Sequence, residues 1–488
     1  MMFKVGAKYQ HLVRQMNCIC CTPEVQSFTA RVTSDLSRRG FLGGAAATLV
    51  GLGLPDFAKA QTAAVPLANN RPIVFRNLRL FDGTGSALRS GVTVRVEADK
   101  IVDVASGDIR APDGAIVIDC GGRTLMPGLI DAHWHAMMAA LPLATMMTAD
   151  VGFIHLAASA EAERTLMRGF TTVRDIGGPV FALKKAIDLG MISGPRIYPS
   201  GAIISQTSGH GDFRSVHETP RTPSMLSRPE VLGASAIADG PDEMRRRTRE
   251  QLMAGATQIK LAAGGGVASL YDPLDVLQLR PEELRAAVEA AADWGTYVAA
   301  HAYMPESIKR CISAGVKSIE HGQLADEESV RMMANNGTRW SLQPFTADTD
   351  VNRYPDADRQ GKQKLLWEGT DNAYMLAIKH KIAPGWGTDV LFDAKGAETQ
   401  GKYLSAMKRW YSPAQVLKMA TSDNAEYLAM CGLRNPYAGK LGVIEKGAYA
   451  DMILVDGDPI ANIDLVADAA KNFKIIMKSG RIHKNTLG

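Results

Sequence analysis

The sequence lacks any surplus of charge outside its first 60 residues. Its 488 residues include 55 Lys and Arg against 51 Asp and Glu. Seven of the basic and three of the acidic residues lie in residues 1–60, so 48 of each kind remain in 61–488. A nucleic-acid-binding protein needs a basic patch on its folded body. The balanced remainder therefore gives no support to a nucleic-acid-binding function.

Cysteine is scarce, and its placement argues against a protein stabilised by a set of disulfide bonds. Three of the six cysteines stand at 18, 20 and 21, and the others are scattered at 120, 311 and 431. Three scattered cysteines do not make a disulfide framework in so long a chain. The cluster at 18–21 could bind a metal or carry a lipid, although it precedes an expected cleavage site. With 46% hydrophobic and 22% charged residues, the composition is that of a globular enzyme, not of a disordered or fibrous protein.

No run of hydrophobic residues is long enough to span a membrane. The longest candidate contains the Gly/Ala/Leu-rich stretch 43–54 and reaches about 15 residues, where a spanning helix needs about 20. It follows Arg38-Arg39 and precedes Ala58-Lys59-Ala60, the order of parts in a twin-arginine export signal. We expect residues 1–60 to be a removed signal segment and the protein to be periplasmic or secreted, with no membrane attachment after processing. The alternative is a cytoplasmic protein in which this stretch is an ordinary buried helix.

Two β-rich regions flank a middle region with a different pattern. Short alternating strands punctuated by Gly and Asp occupy residues 71–126, and similar strands return at 450–455 and 473–477. Chain ends often lie close together in folded proteins. We therefore expect 61–126 and 436–488 to build one small domain, a β-sandwich.

The middle region, residues 127–435, alternates strands with amphipathic segments, which favours parallel β-structure. Eight strands are predicted, at 129–133, 171–174, 196–200, 258–261, 297–301, 317–320, 339–342 and 382–385. Eight βα units over roughly 300 residues match a (β/α)8 barrel, the TIM-like fold that places catalysis at the carboxyl ends of its strands. The predicted fold class is α/β, a barrel with a small β domain built from both chain ends.

Potential metal ligands stand at the carboxyl ends of five predicted strands. Residues i and i+2 of a strand point to the same face, so His133 and His135 can bind one metal at the carboxyl end of the barrel. Lys260 lies among apolar strand residues, where an ammonium is costly unless paired or neutralised. Carbamylation by CO2 would turn it into an anionic ligand able to bridge two metals; the alternative is a salt-bridged lysine. The other strand-end candidates are His301, His321 and Asp389.

This order of residues resembles the amidohydrolase superfamily in its binuclear-metal form. The motifs that carry the resemblance are MPGLIDAHWH at 126–135, GFTTVRD at 169–175, EHG at 320–322, GTD at 387–389 and GAYADMILVD at 447–456. Within the superfamily the chain looks most like the branch of Xaa-Pro dipeptidases, carboxypeptidases and ochratoxin-hydrolysing amidohydrolases. SGHGD at 208–212, KLAAGGG at 260–266 and HAY at 301–303 indicate that branch.

The resemblance implies a hydrolase with two divalent metal ions, and zinc suits imidazole and carboxylate ligands. The implied ligands are His133, His135 and Asp389 for one ion and His301 and His321 for the other, with a CO2-derived carbamate on Lys260 as the bridge. A hydroxide shared by the metals would be the nucleophile, since metals lower the pKa of bound water towards about 7. Asp389 would act first as general base and then as general acid.

Side chains beside the ligands predict how a substrate is bound. Tyr303 shares the ligand face with His301, and in this branch it is expected to donate to a substrate carboxylate. His210, in a Gly-flanked loop, is expected to act on a substrate carbonyl or carboxylate. Arg214 and His217 are further candidates on the same loop. For each of them the alternative is a packing or loop-stabilising role.

The loop after the first barrel strand should also border the site. It begins with Met137 and is rich in Met and Leu, which suits a broad apolar pocket because methionine is flexible and polarizable; the alternative is core filling. Arg174-Asp175, at the end of the second strand, is interpreted as a structural ion pair.

The resemblance implies hydrolysis of the amide bond of a dipeptide or an N-acyl amino acid with a free carboxylate. Ochratoxin A, an aromatic acyl group joined to phenylalanine, is the expected substrate within that class, giving ochratoxin alpha and L-phenylalanine. Two alternatives stay open: a cyclic-amide or lactone hydrolase with the same metals, and an exported small-molecule-binding protein with a relic metal site. The family also implies a homo-oligomer.

Overall fold

The computed structural model describes residues 69–487 except positions 86, 219–225, 270, 351, 353 and 355. The expected signal segment at 1–60 and the cysteine cluster at 18–21 lie outside the described residues. Among the helices that are described, none is both long enough and apolar enough to cross a membrane.

Eighteen strands occur in the described part of the chain. They are β1 (Asn69–Leu80), β2 (Arg89–Ala98), β3 (Lys100–Ser106), β4 (Ile116–Asp119), β5 (Thr124–Pro127), β6 (Leu129–Trp134), β7 (Phe170–Asp175), β8 (Arg196–Pro199), β9 (Ile203–Ser205), β10 (Ser235–Ile237), β11 (Ile259–Ala262), β12 (Val298–Ala302), β13 (Ser318–His321), β14 (Arg339–Leu342), β15 (Gly385–Trp386), β16 (Met452–Val455), β17 (Phe473–Lys478) and β18 (Arg481–Asn485).

Helices connect most of the strands in the middle of the chain. They are α1 (Leu143–Thr148), α2 (Val151–Met167), α3 (Phe181–Asp188), α4 (Arg228–Leu232), α5 (Pro241–Ala254), α6 (Pro281–Asp293), α7 (Pro305–Ser313), α8 (Glu327–Asn336), α9 (Ala357–Lys379), α10 (Ala394–Ala397), α11 (Gln400–Ala406), α12 (Pro413–Lys418), α13 (Asn424–Leu428) and α14 (Ala469–Asn472).

Helix boundaries follow local sequence signals. Proline stands at the start of α5, α6 and α7, where its fixed φ suits a helix and its missing N–H costs nothing. The carboxylate of Asp326 accepts a hydrogen bond from the Ser329 N–H at 2.7 Å and caps α8. Gly337, with φ 60°, ends that helix in the left-handed conformation.

Strands from both ends of the described chain share one sheet. Its order is β18-β17-β16-β5-β1-β2-β3, and β4 pairs with β1. Apolar side chains of the two sets of strands, such as Phe75, Val94 and Leu454, form a core of their own. The division into domains at 61–126 plus 436–488 stays a prediction, since the described residues belong to one compact unit.

Eight parallel strands of residues 127–435, which belong to two sheets, follow the order expected for a barrel. β6, β7 and β8 pair in that order, and β11 to β15 pair in chain order. Between the two groups, the Thr257 N–H donates to the Pro199 carbonyl at 2.7 Å. On the other side, the Asn424 amide donates to the Ile130 and Trp386 carbonyls at 2.8 Å each. These bonds set β8 beside β11 and β15 beside β6, while β9 and β10 extend the sheet next to β11.

The eighth barrel strand begins later than the sequence indicates. Residues 382–385 were the expected strand, but β15 covers only Gly385–Trp386. The Ile382 N–H donates to the Ala377 carbonyl at 2.9 Å and so belongs to the end of α9. In the sequence, an apolar residue such as Ile382 after a long helix resembles the start of a strand. Its backbone hydrogen bond shows that it still belongs to the end of the helix.

Candidate active site

All six predicted metal ligands line one pocket at the carboxyl ends of the barrel strands. His133 belongs to β6, Lys260 to β11, His301 to β12 and His321 to β13. The pocket is lined by these four and by His135, Asp389, His210 and Tyr303. Because parallel strands bring their carboxyl ends to one rim, residues up to 256 positions apart in sequence meet here.

Three of the six converge tightly enough to hold one ion. His133 Nε2 lies 3.1 Å and His135 Nε2 lies 3.0 Å from Asp389 Oδ1, and one ligand atom from each residue fits within 4.8 Å of the others. His133 Nε2 is buried and makes no hydrogen bond to any described residue. A buried, unbonded imidazole nitrogen beside a carboxylate fits a divalent metal, which takes nitrogen and oxygen ligands in this way.

Hydrogen bonds fix which nitrogen of each histidine faces the pocket. His133 Nδ1 lies 2.8 Å from Glu320 Oε2, and His135 Nδ1 lies 3.2 Å from the Gly177 carbonyl oxygen. Metal-binding histidines commonly donate their other ring N–H to a carboxylate or carbonyl in this manner. The Nε2 atoms of both residues are therefore the candidate ligand atoms.

The second group of ligands is packed against the first. The His321 ring lies 4.8 Å from the His133 ring and 4.6 Å from the His301 ring, centroid to centroid. His321 Nδ1 lies 2.8 Å from the Gln343 side-chain oxygen, and His301 Nε2 lies 3.1 Å from the Gly265 carbonyl oxygen. These bonds leave His321 Nε2 and His301 Nδ1 for a metal.

Lys260 shares this pocket without a hydrogen bond or ion pair to any described residue. Its side chain is buried, and burial lowers the pKa of the ammonium group to about 8, against the opposing charges of Glu320 and Asp389. The salt-bridged alternative has no support among the described residues, although the charges of Glu320 and Asp389 act on the ammonium group. An unpaired, buried lysine at this place fits a group that is chemically converted into a ligand.

Strained backbone occurs at two of the ligands. His321 has φ 75° and Asp389 has φ 54°, in the left-handed region where a non-glycine residue costs of order 1–3 kcal/mol. The Asp389 N–H donates to the His133 carbonyl at 2.8 Å, and the Thr388 hydroxyl donates to Asp131 at 2.8 Å. These bonds tie the strained segment to β6 and hold the Asp389 carboxylate over the histidines.

The charge states of the ligands suit a metal centre. Burial raises the pKa of Asp389, but His133 and His321 lower it more, so it stands well below its usual range. Burial holds the pKa values of His301 and His321 well below theirs. Ionised carboxylate and neutral imidazole are the forms that bind metals.

Two of the predicted substrate contacts also face the pocket. The His210 ring stacks on the His301 ring at 3.9 Å between centroids, and its Nδ1 lies 2.8 Å from the Ser269 hydroxyl. The Tyr303 ring lies 5.0 Å from the His321 ring. The Tyr303 hydroxyl makes no hydrogen bond to any described residue, which leaves it free to meet a ligand.

The other three predicted contacts do not belong to the pocket lining. Met137 is fully buried in the barrel core. Arg214 is paired with Asp212, and His217 is exposed in the 3-10 turn Val216–Glu218. Their contact with a substrate stays a prediction.

Arg174 and Asp175 do not form the ion pair that their adjacency indicated. Neighbouring residues of a strand point to opposite faces. Arg174 donates to Glu320 at 2.7 and 2.8 Å and to the Ala132 carbonyl at 2.6 Å. Asp175 accepts from the Ala136 N–H at 2.7 Å. Arg174 thereby supports the carboxylate that orients His133.

Several functional positions were missed in the sequence. Glu320, which orients His133, is the last residue of a predicted strand, and Gln343, which orients His321, directly follows one. Their location was therefore a usable signal. The pocket walls include Phe345, Asp350, Tyr354, Gln363 and Leu366 from the segment after β14 and from α9. The barrel rule places loops after the strands at the site, but it does not say which of their residues turn inward.

Comparisons with known proteins agree with this geometry. The model of the amidohydrolase family matches residues 124–483. An ochratoxinase of Aspergillus niger is 32% identical over 430 residues, covering 84% of this chain and 86% of its own. A crystal structure of a prolidase complexed with N-methylphosphonate-L-proline is 31% identical, with a TM-score of 0.78 over 85% of this chain and 100% of that one. The crystal structure of A. niger ochratoxinase is 27% identical, with a TM-score of 0.73 over 85% and 96%.

These matches confirm the resemblance drawn from the motifs, including its branch. Members of the superfamily generally use a binuclear site for divalent metals, and the His133, His135 and Asp389 group is a candidate half of such a site. The chain belongs to the amidohydrolase family and is a hydrolase that acts on amide or peptide bonds.

Proposed function

We propose that the protein hydrolyses the amide bond of dipeptides or N-acyl amino acids that carry a free carboxylate. The observation that carries the proposal is the Tyr303 hydroxyl, which faces the ligand-lined pocket and has no partner among the described residues. Burial, followed by the charge of Asp389, holds the pKa of Tyr303 well above its usual range. The hydroxyl therefore keeps its proton and can donate a hydrogen bond to a substrate carboxylate.

We propose that two zinc ions would be held by His133, His135, His301, His321 and Asp389, with a carbamate on Lys260 as a further ligand. When bound, such ions lower the pKa of water towards about 7 and polarise a carbonyl as Lewis acids. The lowered pKa of Lys260 leaves part of the amine uncharged near neutral pH, and the uncharged amine is the form that reacts with CO2.

Asp389 is the proposed proton carrier. Its carboxylate is ionised, and its strained backbone fixes it at the rim of the pocket. An ionised carboxylate there accepts a proton from the attacking water and delivers it to the leaving nitrogen, a role worth about 10²–10⁴-fold in rate.

His210 is proposed to hold the substrate carbonyl or carboxylate. Burial lowers its pKa despite the nearby charge of Asp272, so the ring is neutral near pH 7. When Nδ1 accepts from the Ser269 hydroxyl, Nε2 carries the hydrogen and serves as a donor towards the pocket.

The apolar walls support an aromatic or aliphatic acyl group. Phe213, Val267, Phe345, Leu366 and Leu391 all line the pocket. A small number of polar groups in an apolar cleft is the usual composition of a small-molecule site. We propose ochratoxin A as a substrate, and the similarity to an Aspergillus niger ochratoxinase supports it.

The experiment is a hydrolysis screen of residues 61–488, zinc-loaded with bicarbonate present. Xaa-Pro dipeptides, N-acyl amino acids, ochratoxin A and simple lactones are the panel, and mass spectrometry scores the released products. Release of phenylalanine from ochratoxin A faster than proline from dipeptides is the expected result. Cleavage of lactones alone would overturn the role of the substrate carboxylate and favour the lactonase alternative.

A matched pair of variants tests Tyr303 directly. A hydrogen bond to a charged group is worth about 1.5–3 kcal/mol, so Tyr303→Phe should raise KM for carboxylate-bearing substrates by about 10–100-fold and leave lactone hydrolysis unchanged. Tyr411→Phe is the control, because its buried hydroxyl also lacks a partner among the described residues but does not line the pocket.

We also propose that residues 1–60 direct export through the twin-arginine route. The proposal rests on Arg38-Arg39, the apolar stretch after them and Ala58-Lys59-Ala60. Cell fractionation of the full chain and of an Arg38→Lys, Arg39→Lys variant tests it. Equal export of the two proteins would contradict it.

A further inference from the structure

A second pocket lies far along the barrel from the metal ligands. It encloses about 200 Å³ between the β17–β18 hairpin and the loop that precedes β8, and it is lined by Ser193, Lys478, Ser479, Arg481 and His483 among others. We refer to these five residues and the space between them as the hairpin pocket. The loop before β8 enters the barrel at the amino end of that strand, so the hairpin pocket is opposite the edge that carries the catalytic groups.

The hairpin brings three basic side chains to one face. Lys478 and Arg481 are directly paired across the two strands. Ser479 and Gly480 form the two-residue turn, with φ 52° and 71°, which suits the twist of a tight hairpin. His483 is the extra residue of a β-bulge in β18, and its side chain lines the same pocket.

None of these three side chains forms an ion pair with a described residue. Lys478, Arg481 and His483 make no hydrogen bond or ion pair through their side chains with any described residue. The two carboxylates whose charges act on Lys478 are both paired with other residues. Asp451 binds Arg196 at 2.9 Å, and Asp188 is paired with Lys184.

This arrangement is unfavourable for the protein alone. Like charges directly opposite each other on neighbouring strands are destabilising. Burial, then the charge of Arg196, lowers the pKa of Lys478 to about 8, while burial and then the charges of Lys478 and Arg481 lower the pKa of His483 to about 4. The Lys478 shift indicates that its positive charge is disfavoured here, and the His483 ring is neutral near pH 7.

We propose that the hairpin pocket binds a small soluble oxyanion with two negative charges, such as a phosphate group. Lys478 and Arg481 would pair with its charge, and Arg side chains bind phosphate oxygens through paired N–H groups. The Ser193 and Ser479 hydroxyls line the same space, and Ser479 accepts from Arg196 at 2.8 Å, so its own hydrogen is available to a ligand. The anion neutralises the cross-strand repulsion and thereby stabilises the junction of the small sheet with the barrel.

The test compares inorganic phosphate with chloride at constant ionic strength on metal-loaded residues 61–488. Thermal unfolding gives Tm, and isothermal titration calorimetry gives the affinity. Wild-type protein should gain Tm in phosphate beyond chloride. Lys478→Gln and Arg481→Gln should each weaken phosphate binding at least about tenfold, since one charge-assisted contact is worth about 1.5–3 kcal/mol.

Without phosphate, removal of one of the two opposed positive charges should stabilise the protein. Arg481→Gln removes the repulsion from Lys478, so its Tm in chloride should exceed that of the wild type. Lys364→Gln is the control, because that lysine is exposed on α9 and lies outside the hairpin pocket; it should match the wild type in both salts.

Two results would overturn the proposal. The first is an equal Tm for the wild type in phosphate and in chloride. The second is an undiminished phosphate response in both hairpin variants, which would place the binding at the metal centre.

Discussion

Replacing Glu320 by Gln tests whether the buried carboxylate that contacts His133 is needed for metal binding. Glu320 is fully buried. Its carboxylate accepts from Arg174 at 2.7 and 2.8 Å and lies 2.8 Å from His133 Nδ1. Burial raises the pKa of Glu320, but Arg174 lowers it more, and the balance is well below its usual range. The residue therefore acts as a fixed negative charge between a guanidinium and a candidate metal ligand.

The substitution keeps the shape of the side chain and removes its charge. Arg174, itself fully buried, is then left without a counter-charge. Breaking one partner of a buried ion pair costs about 3–5 kcal/mol of unfolding free energy. Loss of the carboxylate that orients a metal-binding histidine typically weakens metal affinity or activity by about 10–100-fold. Both losses are expected for Glu320→Gln.

Two measurements separate the effects. Zinc affinity is determined by competition with a coloured chelator, and stability by urea unfolding of the metal-free protein. Glu161→Gln is the matched control: Glu161 is equally buried and is paired with Arg168 at 2.6 Å on α2, outside the catalytic pocket. It should lose comparable stability and keep its zinc affinity.

Unchanged zinc affinity in folded Glu320→Gln would refute the reasoning, because His133 would then be oriented without the carboxylate. Equal loss of affinity in both variants would also refute it, since general instability would explain the result.

Three further outcomes are expected. Lys260→Ala should lose most activity together with most of one metal equivalent, as measured by elemental analysis, and full activity would contradict a binuclear site. Gly266→Ala should cost about 100-fold in kcat/KM with metal content retained, because a Cβ there would lie 1.9 Å from His210 Nδ1 and displace the ring; normal kinetics would argue against a role for His210. Burial raises the pKa of Cys311 to about 12, so iodoacetamide at mildly alkaline pH should label it only after unfolding, as mass spectrometry would show.

The sequence predicted which residues line the pocket because the barrel rule is geometrical. Parallel strands bring their carboxyl ends together, so His133, Lys260, His301 and His321 could be assigned to one rim from strand order alone. The strand bounds mattered little to this result. The eighth strand begins at Gly385, three residues later than expected, yet Asp389 still reaches the pocket.

Predictions for loop residues were not supported by strand geometry. Met137, Arg214 and His217 were chosen because their loops follow barrel strands, but a loop residue can turn inward, pack or face solvent. Met137 packs in the core and Arg214 is held by Asp212. Tyr303 was placed more securely, since its position two residues after His301 fixes its side of the chain.

The sequence by itself determined which chemical groups exist and the order in which strands present them, since strand periodicity and strand order are local properties. Only the tertiary structure decided which groups are paired. Arg174 and Glu320 are separated by 146 positions and still share two hydrogen bonds, whereas Lys260 and the pair of Lys478 and Arg481 have no partner among the described residues. Whether two groups pair depends on how far apart folding places their chain segments and on whether water is excluded between them. Neither property can be inferred from the local pattern of residues.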